Sequence, residues 1–415
     1  MRRGGRTSTL PPTELVVAGA PGGCPRHNPA LDPASVRIST VTTLADVIAV
    51  MDRLYNPAWA ESWDAVGLVT GDPEQEVRRV LFAVDPMRAV VDEAIEGGFD
   101  LLVTHHPLLL RGVNSVATTT PKGRVINDLI RGGVALHVCH TNADNANPGV
   151  SDALAAAIGL RDTRPLKAMP AEPMDKVVVF VPLEETQAML DALAKAGAGQ
   201  IGDYERAAWS GIGEGTFRPL EGANPTIGSV GDIEVVPENR VEMILPRHRR
   251  RAVVEALIAA HSYEEPAYDV YELASQPSER GGGRIGVLAE PLPLADFARL
   301  VAESLPRTEH GVRVSGELDR MIETVAVVGG AGDSEFDRVR AAGVDAYLTA
   351  DLRHHPATEA RAYGDPALVD VAHWASEWPW LADAERLLRD GLAAQGSTVD
   401  THISTLCTDA WTLRI

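Results

Sequence analysis

The sequence predicts an α/β protein, in which one discontinuous α/β domain of two related halves carries a smaller α+β unit inserted between them. Three observations predict this. Strand-like apolar runs alternate with segments of helical period from residue 79 to 139, the alternation resumes from 324 to 396, and the order of elements between them is different. At 415 residues the chain is also longer than one ordinary core organises, so two folded units are expected.

In order, "RVLFAVD" (79–85) reads as a buried strand and "MRAVVDEAIEGG" (87–98) as a helix stopped by glycine. "DLLVT" (100–104) and, after Gly133, "VALHVC" (134–139) are the next two strands. This series favours a largely parallel sheet with helices on its faces. The middle begins with a strand, "MDKVVVFVP" (174–182), and a helix, "EETQAMLDALAKAGAG" (184–199). "GIGEGTFRPLEGANPTIG" (211–228) reads as a Gly- and Pro-rich loop. A strand, "RVEMILP" (240–246), a helix, "RRAVVEALIAAHS" (250–262), and a strand, "AYDVYEL" (267–273), complete an order that suits a ferredoxin-like α+β unit. The last part supplies "TVAVVGG" (324–330), "SEFDRVRAAG" (334–343), "VDAYLT" (344–349), "ALVDVA" (367–372) and "ERLLRDGLAAQG" (385–396) as strand, helix, strand, strand and helix. "GFDLLVT" (98–104) and "GVDAYLT" (343–349) share Gly, Asp and Thr at equal spacing, which is either a weak internal repeat of two related halves or a coincidence of seven residues. The expected division is 1–40 as a disordered extension, 41–170 as the first half, 171–295 as the insert and 296–415 as the second half.

Hydrophobic residues make up 45% and charged ones 23%, the balance of a soluble protein, and no apolar run approaches a membrane span. A net charge of −20 argues against an extended phosphate-binding surface, so nucleic acid is not an expected partner, although a small anion could bind at a local positive site. The three cysteines, Cys24, Cys139 and Cys407, suit neither a disulfide framework nor a zinc ribbon, which points to a reducing cytoplasm. Cys24 and His27 fall in the extension and carry no functional weight.

Chemistry concentrates in three segments that follow predicted strands. His105 and His106 close "FDLLVTHH", at the carboxyl edge where open α/β sheets bind ligands. A histidine pair taken alone is more commonly structural. "VCHTNADNANPG" (138–149) offers Asp144, a hard oxygen donor, although Asn- and Asp-rich loops are commonly turns. In "VDVAHWASEWPW" (369–380), His373 and Glu377 stand four apart, one face of a helical turn, and Glu377 has two oxygens with which to bridge. Together His105, His106, Asp144, His373 and Glu377 form an inventory for two divalent ions of the Zn, Fe, Mn, Co or Ni kind. His140 and Asp85 are candidates for side chains that hydrogen-bond the ligands, and His140 also for acid/base work. His354 and His355 read as a solvent-facing helix start or, alternatively, as a lining of the pocket.

The motifs "WDAVGL" (63–68), "LLVTHHPLL" (101–109), "HTNADNANPGVSD" (140–152), "GGAGDSEF" (329–336), "DAYLTADLRHH" (345–355) and "HWASE" (373–377) together resemble the GTP cyclohydrolase I type 2-like family, the Nif-three-like proteins with a toroidal hexamer and a dinuclear metal centre. "GTFRP" (215–219), "NPTIG" (224–228) and "YEEPAYDVYEL" (263–273) resemble the PII-like middle domain of its longer members. The resemblance implies the same five metal ligands and a homohexamer with the inserts closing a central cavity. Ala372 and Ala350 depart from the family's glycines at those positions. The expected function is a metal-dependent hydrolase acting on a small molecule, GTP ring opening being one such reaction. The alternative is a non-enzymatic metal-binding regulatory or assembly protein.

Overall fold

Burial on both faces makes the first apolar runs parallel strands. The computed structural model describes residues 41–364 and 366–415, so the expected extension at 1–40 lies outside the described residues. β1 (Gly67–Thr70), β2 (Arg79–Ala83), β3 (Leu101–Thr104) and β4 (Ala135–Val138) lie in spatial order β1-β4-β3-β2. β2, β3 and β4 run parallel, and β1 is antiparallel to β4. Leu81, Leu102 and Leu136 meet Val91 and Leu129 of the helices Arg88–Glu96 and Pro121–Gly132. Val80, Phe82, Leu101 and Val103 face the other way, against Leu44 and Met51 of helix Leu44–Leu54. That helix starts at a capping box, in which Asp46 N–H donates to Thr43 Oγ1 (3.3 Å) and Thr43 N–H to Asp46 Oδ2 (2.9 Å).

The chain then leaves through β5 (Arg161–Pro170) into a separate antiparallel sheet of β6 (Met174–Pro182), β7 (Trp209–Phe217), β8 (Glu234–Pro246) and β9 (Tyr268–Glu272), ordered β7-β8-β6-β9. Helices Thr186–Lys195 and Arg250–Ala260 cover one face, their Leu193 and Leu257 packing on Val177, Val179 and Val241. The β–α–β–β–α–β order is that of a ferredoxin-like unit. One element differs from expectation: the segment read as a glycine-rich loop is the strand β7 over Trp209–Phe217, paired residue for residue with β8. Gly211, Gly213 and Gly215 alternate along it, so one face of this edge strand has no side chains between Trp209 and Phe217.

β10 (Pro277–Pro293) returns beside β5, and β11 (Arg313–Ser315), β12 (Met321–Ala331), β13 (Ala346–Ala350) and β14 (Ala367–Val371) complete a sheet ordered β11-β14-β13-β12-β10-β5. The last four repeat the first half. β12, β13 and β14 are parallel, β11 is antiparallel to β14, and helix Leu294–Ser304 precedes them as Leu44–Leu54 precedes β1. The Gly-x-Asp repeat has a common job in both halves. Gly98 (φ +64°) and Gly343 (φ +66°) take the left-handed turn that ends a helix. Asp100 Oδ2 then accepts the N–H groups of Arg78 and Arg79 (2.8 and 2.9 Å), and Asp345 Oδ2 those of Glu323 and Thr324 (3.1 and 2.8 Å). Finally, helix Trp380–Ala393 packs Leu381 and Leu388 into the core of the first half, and β15 (Asp400–Ile403) pairs in parallel with β2. Among the described residues, no helix is long and apolar enough to cross a membrane.

Arg284 of β10 is 1% exposed and joins the two halves. It donates to Asp152 Oδ1 (2.6 Å) and to the carbonyl oxygens of Ala146 and Gly283 (each 2.8 Å), while Asp152 Oδ2 accepts the Gly149 N–H (2.8 Å). The loop that carries Asp144 is thereby fixed to the second sheet. Removing one partner of a buried ion pair strands the other, so Arg284→Ala should lower the unfolding free energy by about 3–5 kcal/mol in equilibrium urea denaturation. A loss below about 1 kcal/mol, the range of exposed pairs, would show that the network is not what holds the loop.

Candidate metal centre

Past β3 the backbone bends at His105 and His106 but stays hydrogen-bonded to the end of β2, His105 N–H donating to Ala83 O (3.2 Å) and His106 N–H to Val84 O (2.8 Å). Each ring is then anchored through Nδ1. His105 Nδ1 donates to Cys139 O (2.9 Å) and His106 Nδ1 to Asp85 Oδ1 (2.7 Å), the other oxygen of Asp85 being held by the Thr408 hydroxyl. His140 Nδ1 donates to Asp64 Oδ1 (2.8 Å), and His373 Nδ1 to Asp351 Oδ2 (2.7 Å). A carboxylate or carbonyl can only accept, so these contacts assign the proton to Nδ1 and leave the lone pair of the neutral ring on Nε2. This is how metal-binding histidines are usually prepared.

The free edges converge. His105 Nε2 stands 3.4 Å from Glu377 Oε1 and 3.8 Å from Asp144 Oδ1. His106 Nε2 is 3.1 Å from Glu377 Oε2 and 3.2 Å from His373 Nε2, which in turn is 3.0 Å from Glu377 Oε1. His105, His106 and His140 present ligand atoms within 4.8 Å of one another, and so do His106, His373 and Glu377. His105 Nε2 and Glu377 Oε2 are buried without a hydrogen-bond partner. Such unpartnered atoms are costly to bury and suit a cation between them, a proton in the ion-free protein or a metal ion in its place.

The five expected side chains are thus brought together, with His140 closer to them than a supporting role requires, and Asp85 orienting His106. The duplicated topology shows why. His140 lies two residues beyond β4 and His373 two beyond β14, and each is followed four residues later by a carboxylate, Asp144 or Glu377. Two supporting residues were missed as such, Asp64 and Asp351, although "WDAVGL" and "DAYLTADLRHH" contain them. Asp351 takes the positive φ (+55°) that turns the chain after β13, so Ala350 needs no glycine; Ala372 has an ordinary φ of −65°. His354 and His355 open the exposed helix His354–Ala362 and do not line the cleft. Gly330 is required: at φ +71° a Cβ would stand 2.5 Å from Glu377 Oε1 and 3.0 Å from His373 Nε2.

Electrostatics follows from the convergence. Burial pulls the imidazoles towards neutrality, but the Glu377 carboxylate overrides it and raises His106 to about 11 and His373 to about 10. Burial pushes Glu377 up, yet the imidazoles of His106, His373 and His105 hold it well below the usual carboxylate range. Asp144 is raised by burial. The site opens into a cleft of about 250 Å3 whose rim includes Trp63, Glu61 and Lys167, the last two paired at 2.9 Å.

A family model for Duf34/NIF3 (NGG1p interacting factor 3) matches residues 42–410. A Mycobacterium tuberculosis protein described as a GTP cyclohydrolase 1 type 2 homolog is 50% identical over 371 residues, covering 89% of this chain and 97% of that protein. The crystal structure of a Bacillus cereus protein related to NIF3 is 37% identical with a TM-score of 0.75, covering 91% of this chain and 100% of that one. A Staphylococcus aureus crystal structure is 28% identical with a TM-score of 0.78, covering 90% and 99%.

The raised imidazoles define a pH dependence. The ion-free folded state holds their protons more tightly than the unfolded chain, so the stabilisation is complete below about pH 6.5 and lost as pH rises through the folded values. The ion-free protein should therefore lose stability between pH 7 and 11, whereas Glu377→Gln should lose much less over the same range. Adding Zn2+ to the ion-free protein at pH 7 should release protons, readable with an indicator dye. Identical pH profiles for the two proteins would mean that Glu377 does not control these rings.

Proposed function

Since the chain belongs to the Duf34/NIF3 family, we propose that this cluster is a dinuclear divalent-metal centre of a hydrolase that acts on a small anionic substrate. The observation that carries the reading is the set of four Nδ1-anchored rings, three of which, His105, His106 and His373, bring Nε2 to the two oxygens of a buried Glu377, with His140 beside His105 and His106. His105, His140 and Asp144 would hold one ion and His106 and His373 the other, with Glu377 shared. Bound ions supply Lewis acidity towards water and a substrate oxygen. The chain's own contributions are orientation and binding. Asp64, Asp85 and Asp351 fix the rings, Trp63, 59% exposed, presents a flat apolar face, and Lys167 offers an ammonium to an anionic group. A purine nucleotide such as GTP has both a planar ring and phosphates, which makes it the first substrate to test.

Purified without chelators and reloaded near neutral pH, the protein should contain two metal equivalents per chain. Glu377→Ala should lose both, His105→Ala and His140→Ala mainly one, and His373→Ala mainly the other. Equal loss in all four would remove the bridging assignment, and a single equivalent in the parent protein would remove the dinuclear one. Turnover should be sought with nucleotides, phosphoesters and cyclic amides, and should vanish in Glu377→Ala. Tight binding of two ions with no turnover across the panel would favour the non-enzymatic metal-binding reading.

The proposal extends to assembly: a homohexameric toroid in which the β6–β9 sheet and its two helices, within the expected 171–295, form the inserted, PII-like unit at the cavity mouths, β10 belonging instead to the sheet of the second half. With a net charge of −20, a closed ring needs extensive complementary interfaces. Light scattering at micromolar concentration and physiological salt should give a hexameric mass; a monomeric mass would rule the ring out.

A further inference from the structure

The antiparallel sheet of β6–β9 carries a second cavity, of about 470 Å3, that shares no lining residue with the metal cleft. Its size falls in the range of small-molecule sites, roughly 300–1,000 Å3. The walls are largely aromatic and apolar, with Phe180 from β6, Phe217 at the end of β7, and Tyr263 beyond helix Arg250–Ala260. Its charge is acidic: Glu214, Glu238, Glu264 and Glu265 line it against a single Arg218.

The four carboxylates are not equivalent. Glu264 is engaged, accepting the Asn224 N–H at 3.0 Å. Glu238 of β8 is only 8% exposed and forms no ion pair among the described residues. The Tyr263 hydroxyl lies beside it and is itself buried without a partner in hydrogen-bond geometry. Gly215 of β7 makes room for the carboxylate, because a Cβ there would stand 2.1 Å from Glu238 Oε2. A buried carboxylate without a counter-ion is costly, and both a ligand cation and the surrounding π faces would relieve it. Among the described residues, the groups of three or more close His, Cys, Asp or Glu ligand atoms all lie in the metal centre, so this cavity is not a metal cage.

We propose that this cavity binds a small organic cation, a protonated amine, a guanidinium or a quaternary ammonium on an apolar body, with Glu238 as counter-ion and Phe180, Phe217 and Tyr263 around the body. The site is independent of the metal centre and of whether that centre is catalytic.

The test uses the full-length, metal-loaded protein and three cationic probes: tyramine, agmatine and phenethyltrimethylammonium. The uncharged control is 4-ethylphenol. Titration calorimetry should show saturable binding of at least one cation, with the uncharged control at least about ten-fold weaker. Glu238→Gln should weaken that cation by at least about ten-fold. Phe217→Ala, which removes a wall and leaves the carboxylate in place, should weaken it too, and Glu377→Gln should leave it unchanged. Circular dichroism and thermal melts of each variant separate lost binding from lost folding. Binding by none of the three cations, or equal affinity for cation and uncharged control, would overturn the proposal. So would undiminished binding in both Glu238→Gln and Phe217→Ala.

Discussion

A carboxylate as deeply buried as that of Glu377, 3% exposed, has to be met by positive charge, and the chain meets it with imidazoles alone. Much of the surrounding structure follows from this. Imidazoles are weak partners when neutral and mutually repulsive when charged, so each ring is tied back through Nδ1 to an acceptor outside the cluster. Those acceptors need support in turn. Asp64 accepts from both the N–H and the hydroxyl of Thr141, and Asp370, itself buried, accepts the Leu352 N–H beside Asp351. The glycine at 330 leaves space where any side chain would press on the carboxylate.

Duplication supplies the convergence at little cost in sequence. Each half is built on three parallel strands beside an antiparallel edge strand, within a larger sheet, and each delivers a histidine and, one helical turn later, a carboxylate from the strand at the same topological position. Two copies facing each other produce a site with ligands from both. The halves have since diverged in their central strands: the residues after Thr104 are His105 and His106, whereas those after Thr349 are Ala350 and Asp351, a positioning group instead of a ligand pair.

Much of this was legible in the sequence because period and spacing report local geometry. Continuous apolar runs marked the parallel strands, and the four-residue step from His373 to Glu377 marked one helical face. The equivalent step from His140 to Asp144 was present too, but an Asn-rich loop resembles turn chemistry until its strand is aligned with β14. Asp64 and Asp351 were opaque for a different reason: an aspartate that orients a distant ring has no local pattern, and its partner is known only once the sheets are assembled. β7 was hidden by its glycines, which weaken strand propensity but are tolerated where the neighbouring strand β8 supplies every hydrogen bond on one edge.

The position of β15 has a consequence for the nascent protein. Residues 400–403 supply the parallel neighbour of β2, so the outer edge of the first sheet has no partner until about 320 further residues have followed β2 out of the ribosome. At about 5–20 residues per second, that edge waits roughly a quarter of a minute to a minute after β2 itself emerges. During this interval it is an unpaired row of backbone donors and acceptors, of the kind that templates aggregation. The first half is complete only as a product of late folding, and a truncated or stalled chain would leave its open edge to chaperones or to other nascent chains.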